Sequence, residues 1–424
     1  MSRKVIIVTG RDPTLLDGGS ESYARATGRA AIQAGYEPHI FCVGPASRIE
    51  ATPFGVVHCA KSPFRPLRGL MVAAHGAYIL RAIDRFAESG GAGRGTRCLV
   101  HSLGTWSGVG AAAARRLAAR GIASALVSTI FSSYNHETRG KLRGVGAAHG
   151  AWTKLVLRWE LLWTILTVDP SERRGFRRAD IVLVNYDSVR DIVTAEFGAG
   201  IRLRKVAYAP ETAFLRRAAQ RPPLPDVLAP IEPRDAPLIL AVSRHDARKG
   251  LDVLLRALAM LRAEGVRFRA CLAGGGGLLG RHRALAAELG LLDCTALPGR
   301  VPDAYACLEH ADIFALPSIE EGSGSVALLE ALQAGVAPVV SRVDGLPEDV
   351  VEGESALLVE PGDPAALARA LRRLVEDAAL RARLARGAAA TFHARFSAEA
   401  YAADLCRVYA GLGFVPATQP AEAA

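Results

Sequence analysis

Short runs of β-branched and aliphatic residues alternate with long helical patterns twice over, and a proline-rich stretch without periodicity separates the two series. Such alternation marks parallel sheets covered by helices on both faces, because a parallel strand needs a long crossover to reach its neighbour. The first series reads KVIIVTG, EPHIFCVG, CLVHSL, ALVSTIF, DIVLVNY and KVAYAP, with helical segments such as ESYARATGRAAIQAG between. The second reads LILAVSR, RFRACLAG, DIFALPS, APVVSRV and ALLVEP. A chain of 424 residues also exceeds the size at which one hydrophobic core keeps growing. The expectation is an α/β protein of two doubly wound parallel-sheet domains, 1–220 and 237–395, joined by a linker at 221–236. A helical end at 396–413 follows a break near Phe392 to Ser397, and 414–424 is expected to be a disordered tail. Ligands of such folds bind beyond the carboxyl ends of the strands, so the informative residues should lie just after strands, facing a cleft.

Composition removes several classes. The longest apolar stretch, LVLRWELLWTILTV, carries Arg158 and Glu160 and is too short and too charged to span a bilayer. The apolar run in MSRKVIIVTG is too brief for a secretory signal and reads as a first strand. Seven scattered cysteines without metal-ligand spacing fit a reducing cytoplasm. No D-x-D occurs, so the paired carboxylates that hold a metal–diphosphate in one class of sugar transferases are missing, and neither a metal nor a cofactor is expected. A net charge of +10 comes largely from arginine in an Ala/Arg/Gly-rich composition, and no nucleic-acid partner is expected from it. From Thr138 to Asp180, nine basic residues face four acidic ones, with Trp152, Trp159 and Trp163 interleaved. Two readings stand there: a segment on an anionic membrane surface or a lipid-linked acceptor, and a core-packed amphipathic helix with a solvated basic face.

Four segments carry chemistry. After the first strand, Gly18 and Gly19 with Ser20 and Glu21 open a helix whose free N–H groups suit a phosphate. The strand LILAVSR ends at Arg244, and Lys249 with Gly250 opens the next helix; two cations there make a diphosphate clamp, or else a solvated surface turn. LAGGGGLLG contains G-x-G-x-x-G at Gly275, Gly277 and Gly280, but it follows the second strand of its domain rather than the first. It therefore reads as a tight turn at a nucleotide pocket, not a dinucleotide fingerprint. In ALPSIEEGSGSVALLEALQAG a strand delivers Glu320 and Glu321, then the loop Gly322, Ser323, Gly324 and Ser325, then a helix bearing Glu330. A helix carboxylate can accept both hydroxyls of a ribose and a loop carboxylate those of a sugar, while the glycines permit close approach.

The order GGSE, VSRHDARKG, LAGGGG, PGRVPD, ADIFALPSIEEGSGSVALLEALQAG and DGLPEDVVEGESALLVEPGD resembles a retaining glycosyltransferase of family 4, with its two facing doubly wound domains of the GT-B type. The resemblance covers the second half nearly end to end and the first more loosely. It implies a C-terminal helix packing back toward the first domain, and a hexose transferred from a UDP- or GDP-type nucleotide sugar to a carbohydrate or lipid-linked acceptor. The enzyme would be cytoplasmic, or peripheral at the inner face of the membrane. On matching positions, Arg244 and Lys249 would bind the diphosphate, Glu330 the ribose, Glu321 the sugar, and Gly19 a phosphate through its N–H. Gly275 would belong to the nucleotide pocket, and Arg300 and Val301 would contact the base through their backbone. The family's two glutamates stand one residue closer together than Glu321 and Glu330, so Glu320 rivals Glu321. Phe131 occupies the place of a frequent catalytic-site histidine, so either His136, or next His101, replaces it or the acceptor site is built differently. A nucleotide-sugar epimerase or hydrolase of the same fold, and a non-catalytic anion-binding protein, are the other classes.

Overall fold

A computed structural model of the chain describes residues 4–15, 18–62, 71–93, 97–144, 151–215 and 222–415. It divides into two units, Met1–Phe214 with Ser397–Ala424, and Leu215–Phe396.

The first unit is built on eight strands: β1 (Lys4–Arg11), β2 (Glu37–Gly44), β3 (Arg48–Thr52), β4 (Gly55–Lys61), β5 (Arg97–Leu103), β6 (Ala123–Ile130), β7 (Ile181–Val184) and β8 (Leu203–Lys205). Their order is β3-β4-β2-β1-β5-β6-β7-β8. All neighbours run parallel except β3, which returns antiparallel along β4. Central β1 is buried from Val5 to Gly10 because helices cover both faces, so its sequence is a continuous apolar run rather than an alternation. Ile6, Val8, Phe41 and Val100 pack with Ile79 and Ile83 of the helix Met71–Glu88 and with Val109 and Leu117 of Ser107–Ala119. The helix Ala398–Gly411 belongs to this unit. Its Tyr401 hydroxyl meets the Thr27 hydroxyl at 3.0 Å, and its Tyr409 hydroxyl meets His101 Nδ1 at 2.7 Å.

The second sheet has six parallel strands: β9 (Leu238–Val242), β10 (Arg269–Ala273), β11 (Thr295–Gly299), β12 (Ile313–Leu316), β13 (Ala337–Ser341) and β14 (Leu357–Val359). Their order is β11-β10-β9-β12-β13-β14. One face is covered by Leu251–Ala263 and Pro364–Glu376, which bury Leu254, Leu258, Leu367 and Leu371.

Three strands were not expected. β3 and β4 form an edge hairpin in which RIEAT is mostly exposed and offers no apolar pattern. β11 contains Pro298 and ends in Gly299, and it lies at a sheet edge, where a proline costs no ladder bond. KVAYAP contributes only Lys205 to β8. The proline-rich stretch is not a bare tether: Leu228, Ile231 and Ala236 are buried. Phe414, at the head of the expected tail, is also buried, with the Arg97 guanidinium over its ring and its carbonyl accepting from Tyr36. The rest of that tail, 416–424, lies outside the described residues, as do the side chains of Lys141 and Arg143.

Candidate functional site

In the second unit the chain leaves β9 and makes a single tight helical turn, Ala247–Lys249, capped by Asp246, whose side chain accepts from the Arg248 N–H. Gly250 then takes the left-handed conformation, at φ 59°. A Cβ there would lie 2.1 Å from the Pro317 carbonyl oxygen, so only glycine lets this turn press onto the end of β12. The contact is closed by backbone: the Arg248 carbonyl accepts from Ile319 N–H at 2.7 Å and Glu320 N–H at 3.2 Å.

That weld sets Lys249 against the carboxylate loop. Lys249 Nζ lies 2.5 Å from Glu321 Oε2, and the Ser318 hydroxyl donates to Glu321 Oε1 at 2.5 Å. The Glu321 side chain is only 4% exposed and that of Lys249 14%, so the pair is little screened by salt. An ammonium has three donors. The bond to Glu321 uses one and fixes the direction of the others. The loop is latched from its far side by Asp344, whose Oδ2 accepts from the N–H of both Glu321 and Gly322 at 2.7 Å. Asp344 itself has φ 48°, a conformation that costs a non-glycine residue about 1–3 kcal/mol, and the two charge-assisted bonds offset it. Ser325 starts the helix Val326–Gln333 without a side-chain cap, which leaves the helix start suited to an outside acceptor. Glu330 lies on this helix, half-buried.

The glycine run is placed by a similar contact. At Gly274, φ 144°, a Cβ would be 1.8 Å from the Ser243 carbonyl oxygen. Gly275, the expected pocket residue, has open space around its Cα, and its carbonyl accepts from the His245 N–H at 2.9 Å. His245 and His282 are buried with their Nδ1 atoms 2.9 Å apart, behind the Arg244 turn. Burial, then the neighbouring imidazole, pushes His282 down to about 4. Arg244 is exposed, with its guanidinium 3.3 Å from Asp246, and Arg300 is exposed and Val301 half-buried after β11. The fold therefore joins Lys249, Ser318, Glu321 and Asp344 by direct bonds and sets Arg244 on Asp246. Ser318 and Asp344 were missed by sequence reasoning; the only signal was the Asp344-Gly345 turn pair after β13.

In the first unit Gly19 is exposed at the start of Gly19–Gln33 with nothing near its Cα. The Glu21 carboxylate folds back toward Gly18 and accepts from the Ser20 hydroxyl at 2.8 Å. His136 lies on Tyr134–Gly144; its N–H donates to the Ser133 hydroxyl, and its Nε2 is buried without a hydrogen-bond partner among the described residues. The Phe131 ring packs on Tyr23, which stacks on Tyr208. His101 is no candidate. It is wholly buried in β5 with both ring nitrogens on hydroxyls, those of Tyr409 and Thr129, each at 2.7 Å, and burial lowers it to about 3. It is a neutral structural imidazole.

The cysteines, scattered in sequence, are gathered by topology: Cys42 and Cys59 face each other across β2 and β4, and their sulfurs lie within 4.8 Å of an Asp12 oxygen. Arg48 pairs with Asp12 at 2.5 Å, and the hydrogen bond to Cys59 and then burial push the Cys42 thiol well up. That keeps Cys42 protonated and already supplies Asp12 with a cation.

The sequence pattern of the family described as glycosyl transferases group 1 matches residues 229–391. A putative colanic acid biosynthesis glycosyltransferase of Salmonella typhimurium is 34% identical over 48% of this chain and 49% of its own length. A GDP-mannose-dependent phosphatidylinositol monomannoside mannosyltransferase of Mycolicibacterium smegmatis is 30% identical over 56% of this chain and 62% of its own. The chain thus matches about half to three-fifths of these relatives' length. Sucrose-phosphate synthase of Thermosynechococcus elongatus shares the fold over 97% of this chain and 99% of that one, with TM-score 0.74 and 20% identity. The two parallel-sheet units are those of the GT-B type.

Proposed function

We propose that this chain, whose residues 229–391 form a group 1 glycosyltransferase domain, is a retaining, metal-independent hexosyltransferase using a UDP- or GDP-type sugar donor. The observation that carries the reading is the Lys249–Glu321 pair, buried, braced by Ser318 and latched through Asp344. Breaking a sugar–diphosphate bond places a developing negative charge on the leaving oxygen. Prearranged cations and N–H donors lower that barrier without reorganising at the moment of reaction. Lys249 is held for this task, and Arg244, exposed beside Asp246, is its companion. The uncapped start of Val326–Gln333 adds donors, and Glu330 takes the ribose hydroxyls. Glu321 rather than Glu320 is the loop carboxylate for the sugar, because its carboxylate is the one fixed against Lys249. Gly19 would add an N–H to phosphate, and Arg300 and Val301 would meet the base. His136, with its unpartnered Nε2, is the acceptor-side imidazole. We place the enzyme at the inner face of the membrane, with a carbohydrate or lipid-linked acceptor; the mannosyltransferase relative is named for a lipid of that kind.

The test is nucleotide release over a panel of donors, with and without acceptor. Glu330→Ala and Lys249→Ala should each lower turnover by roughly 100-fold. Unchanged activity in both variants would refute the site. Donor conversion that needs no acceptor would reassign the chain to an epimerase or hydrolase.

A further inference from the structure

The helix Ala151–Trp163 and the wider turn Thr164–Val168 that continues it are built inside out. Trp152, Leu155, Val156, Trp159 and Leu162 fall at i, i+3, i+4, i+7 and i+10, one face of a helix, and all are exposed, as is Leu166 in the turn. Trp152 is 74% exposed and Trp159 53%. The face turned inward carries polar residues beside the core residue Val168: Glu160, 6% exposed, accepts from the Tyr134 hydroxyl at 3.0 Å, and Thr164 is fully buried with its hydroxyl on the Glu160 carbonyl. Of the two expectations for this segment, the core-packed helix does not describe it, and the membrane-surface reading needs more than its basic residues. A core-packed helix would bury the tryptophans, and a basic surface alone would not need them. A soluble surface rarely keeps so large an apolar stripe without an occupant.

We propose that this stripe is a docking face for the headgroup–acyl boundary of an anionic lipid bilayer, with the helix lying in the plane of the interface. The inference rests on the peripheral placement proposed above and names the surface responsible. Tryptophan favours that boundary because its ring is apolar and its N–H can stay with water and headgroups. Charge selects lipid over a second copy of the chain. Arg158 is exposed beside the stripe, and Arg174, Arg177 and Arg178 are exposed on the following helix, Asp169–Arg178. The whole chain carries +10. Two such faces would repel one another, whereas phosphate headgroups attract them. No described helix is long and apolar enough to cross the bilayer, so the contact is a surface one.

The experiment is co-sedimentation of the full chain with vesicles of phosphatidylglycerol in phosphatidylcholine, and with phosphatidylcholine alone. Tryptophan emission is followed in parallel, since three of the four tryptophans lie in this segment and the fourth, Trp106, is buried. The chain should partition to the anionic vesicles with a blue shift. The triple variant Trp152→Ser, Trp159→Ser, Leu166→Ser should lose at least about 10-fold of that partition while keeping its thermal shift with nucleotide sugar. Native protein left in the supernatant, a triple variant that partitions like the native chain, or equal binding to phosphatidylcholine alone would overturn the proposal. So would a dimer in solution that the triple variant dissociates. If vesicle binding follows expectation but no nucleotide sugar shifts the melting temperature, the transferase reading fails and the docking face stands.

Discussion

The two units share one architecture and put polar chemistry in opposite places. In the second, the polar side chains that matter stand in loops after strands, and they are placed by backbone: the Arg248 carbonyl holds the carboxylate loop on one side and Asp344 on the other. In the first, polar groups are inside the sheet and under the helices. His39 and His58 touch at 3.0 Å, His101 sits between two hydroxyls, and Glu172 is wholly buried, while Trp152, Trp159 and Leu162 face outward. A binding surface made from backbone is rigid and reads out in short glycine-rich motifs. A unit that buries its polar groups stakes its stability on their protonation and keeps its outer face for something else.

The sharpest way to break the comparison is at Gly250. Gly250→Ala places a methyl against the Pro317 carbonyl and forces an L residue to φ 59°. About 3 kcal/mol or more of stability should be lost from the second unit, the strain and the overlap adding. Hydrogen exchange should show faster opening in β9, β12 and the loop from Ser318 to Ser323, with the strands of the first unit unchanged. A loss spread over both units would mean that the weld is not local to the second.

This contrast also explains what could be read in the sequence. Both parallel sheets were legible, because buried strands between helices are continuous apolar runs, as in β1 and β12. That Lys249 follows one strand, the Glu320–Glu321 pair follows another, and Glu330 lies on the next helix was legible from strand–turn–helix spacing. Asp344 was not, since its partners lie 22 and 23 residues away and the signal is one turn dipeptide. Whether Glu320 or Glu321 meets Lys249 is decided by side-chain direction, which no spacing carries. The inverted helix was illegible for a related reason. Its apolar period is that of a buried helix, and only the fold tells which side faces out. Cys42, Cys59 and Asp12 are neighbours purely through strand order.

Acid tests the difference next. Burial holds His39 and His58 at about 4 and His101 at about 3 in the first unit, and His282 at about 4 in the second, where His245 is also lowered. Each is neutral when folded and takes a proton more readily when unfolded, so the stability it supplies is complete above pH 6.5 and falls as pH drops toward 4. One pKa unit corresponds to about 1.4 kcal/mol. With three such imidazoles against two, the first unit should lose more stability than the second between pH 6.5 and 4. Unit-resolved hydrogen exchange across that range checks it, and equal losses would contradict the contrast.

The smallest effect has the opposite sign. Both Glu172 oxygens are buried without a hydrogen-bond partner among the described residues. Burial, then Asp169, Glu196 and Glu137, pushes its carboxyl well above the usual range, so folding favours its protonated form relative to the unfolded chain. Such a group costs stability as pH rises through the unfolded carboxylate range. Glu172→Gln keeps the shape and removes the proton. It should raise the melting temperature at pH 7 by about 2–4 °C for each kcal/mol recovered, and by nothing near pH 4, where the carboxyl is largely protonated in both states. The gain should be confined to the first unit, to which the helix Asp169–Arg178 belongs. A variant less stable than the native chain at pH 7 would show that the Glu172 carboxyl is engaged as an anion, and the picture of a first unit held together by neutral buried groups would fall with it.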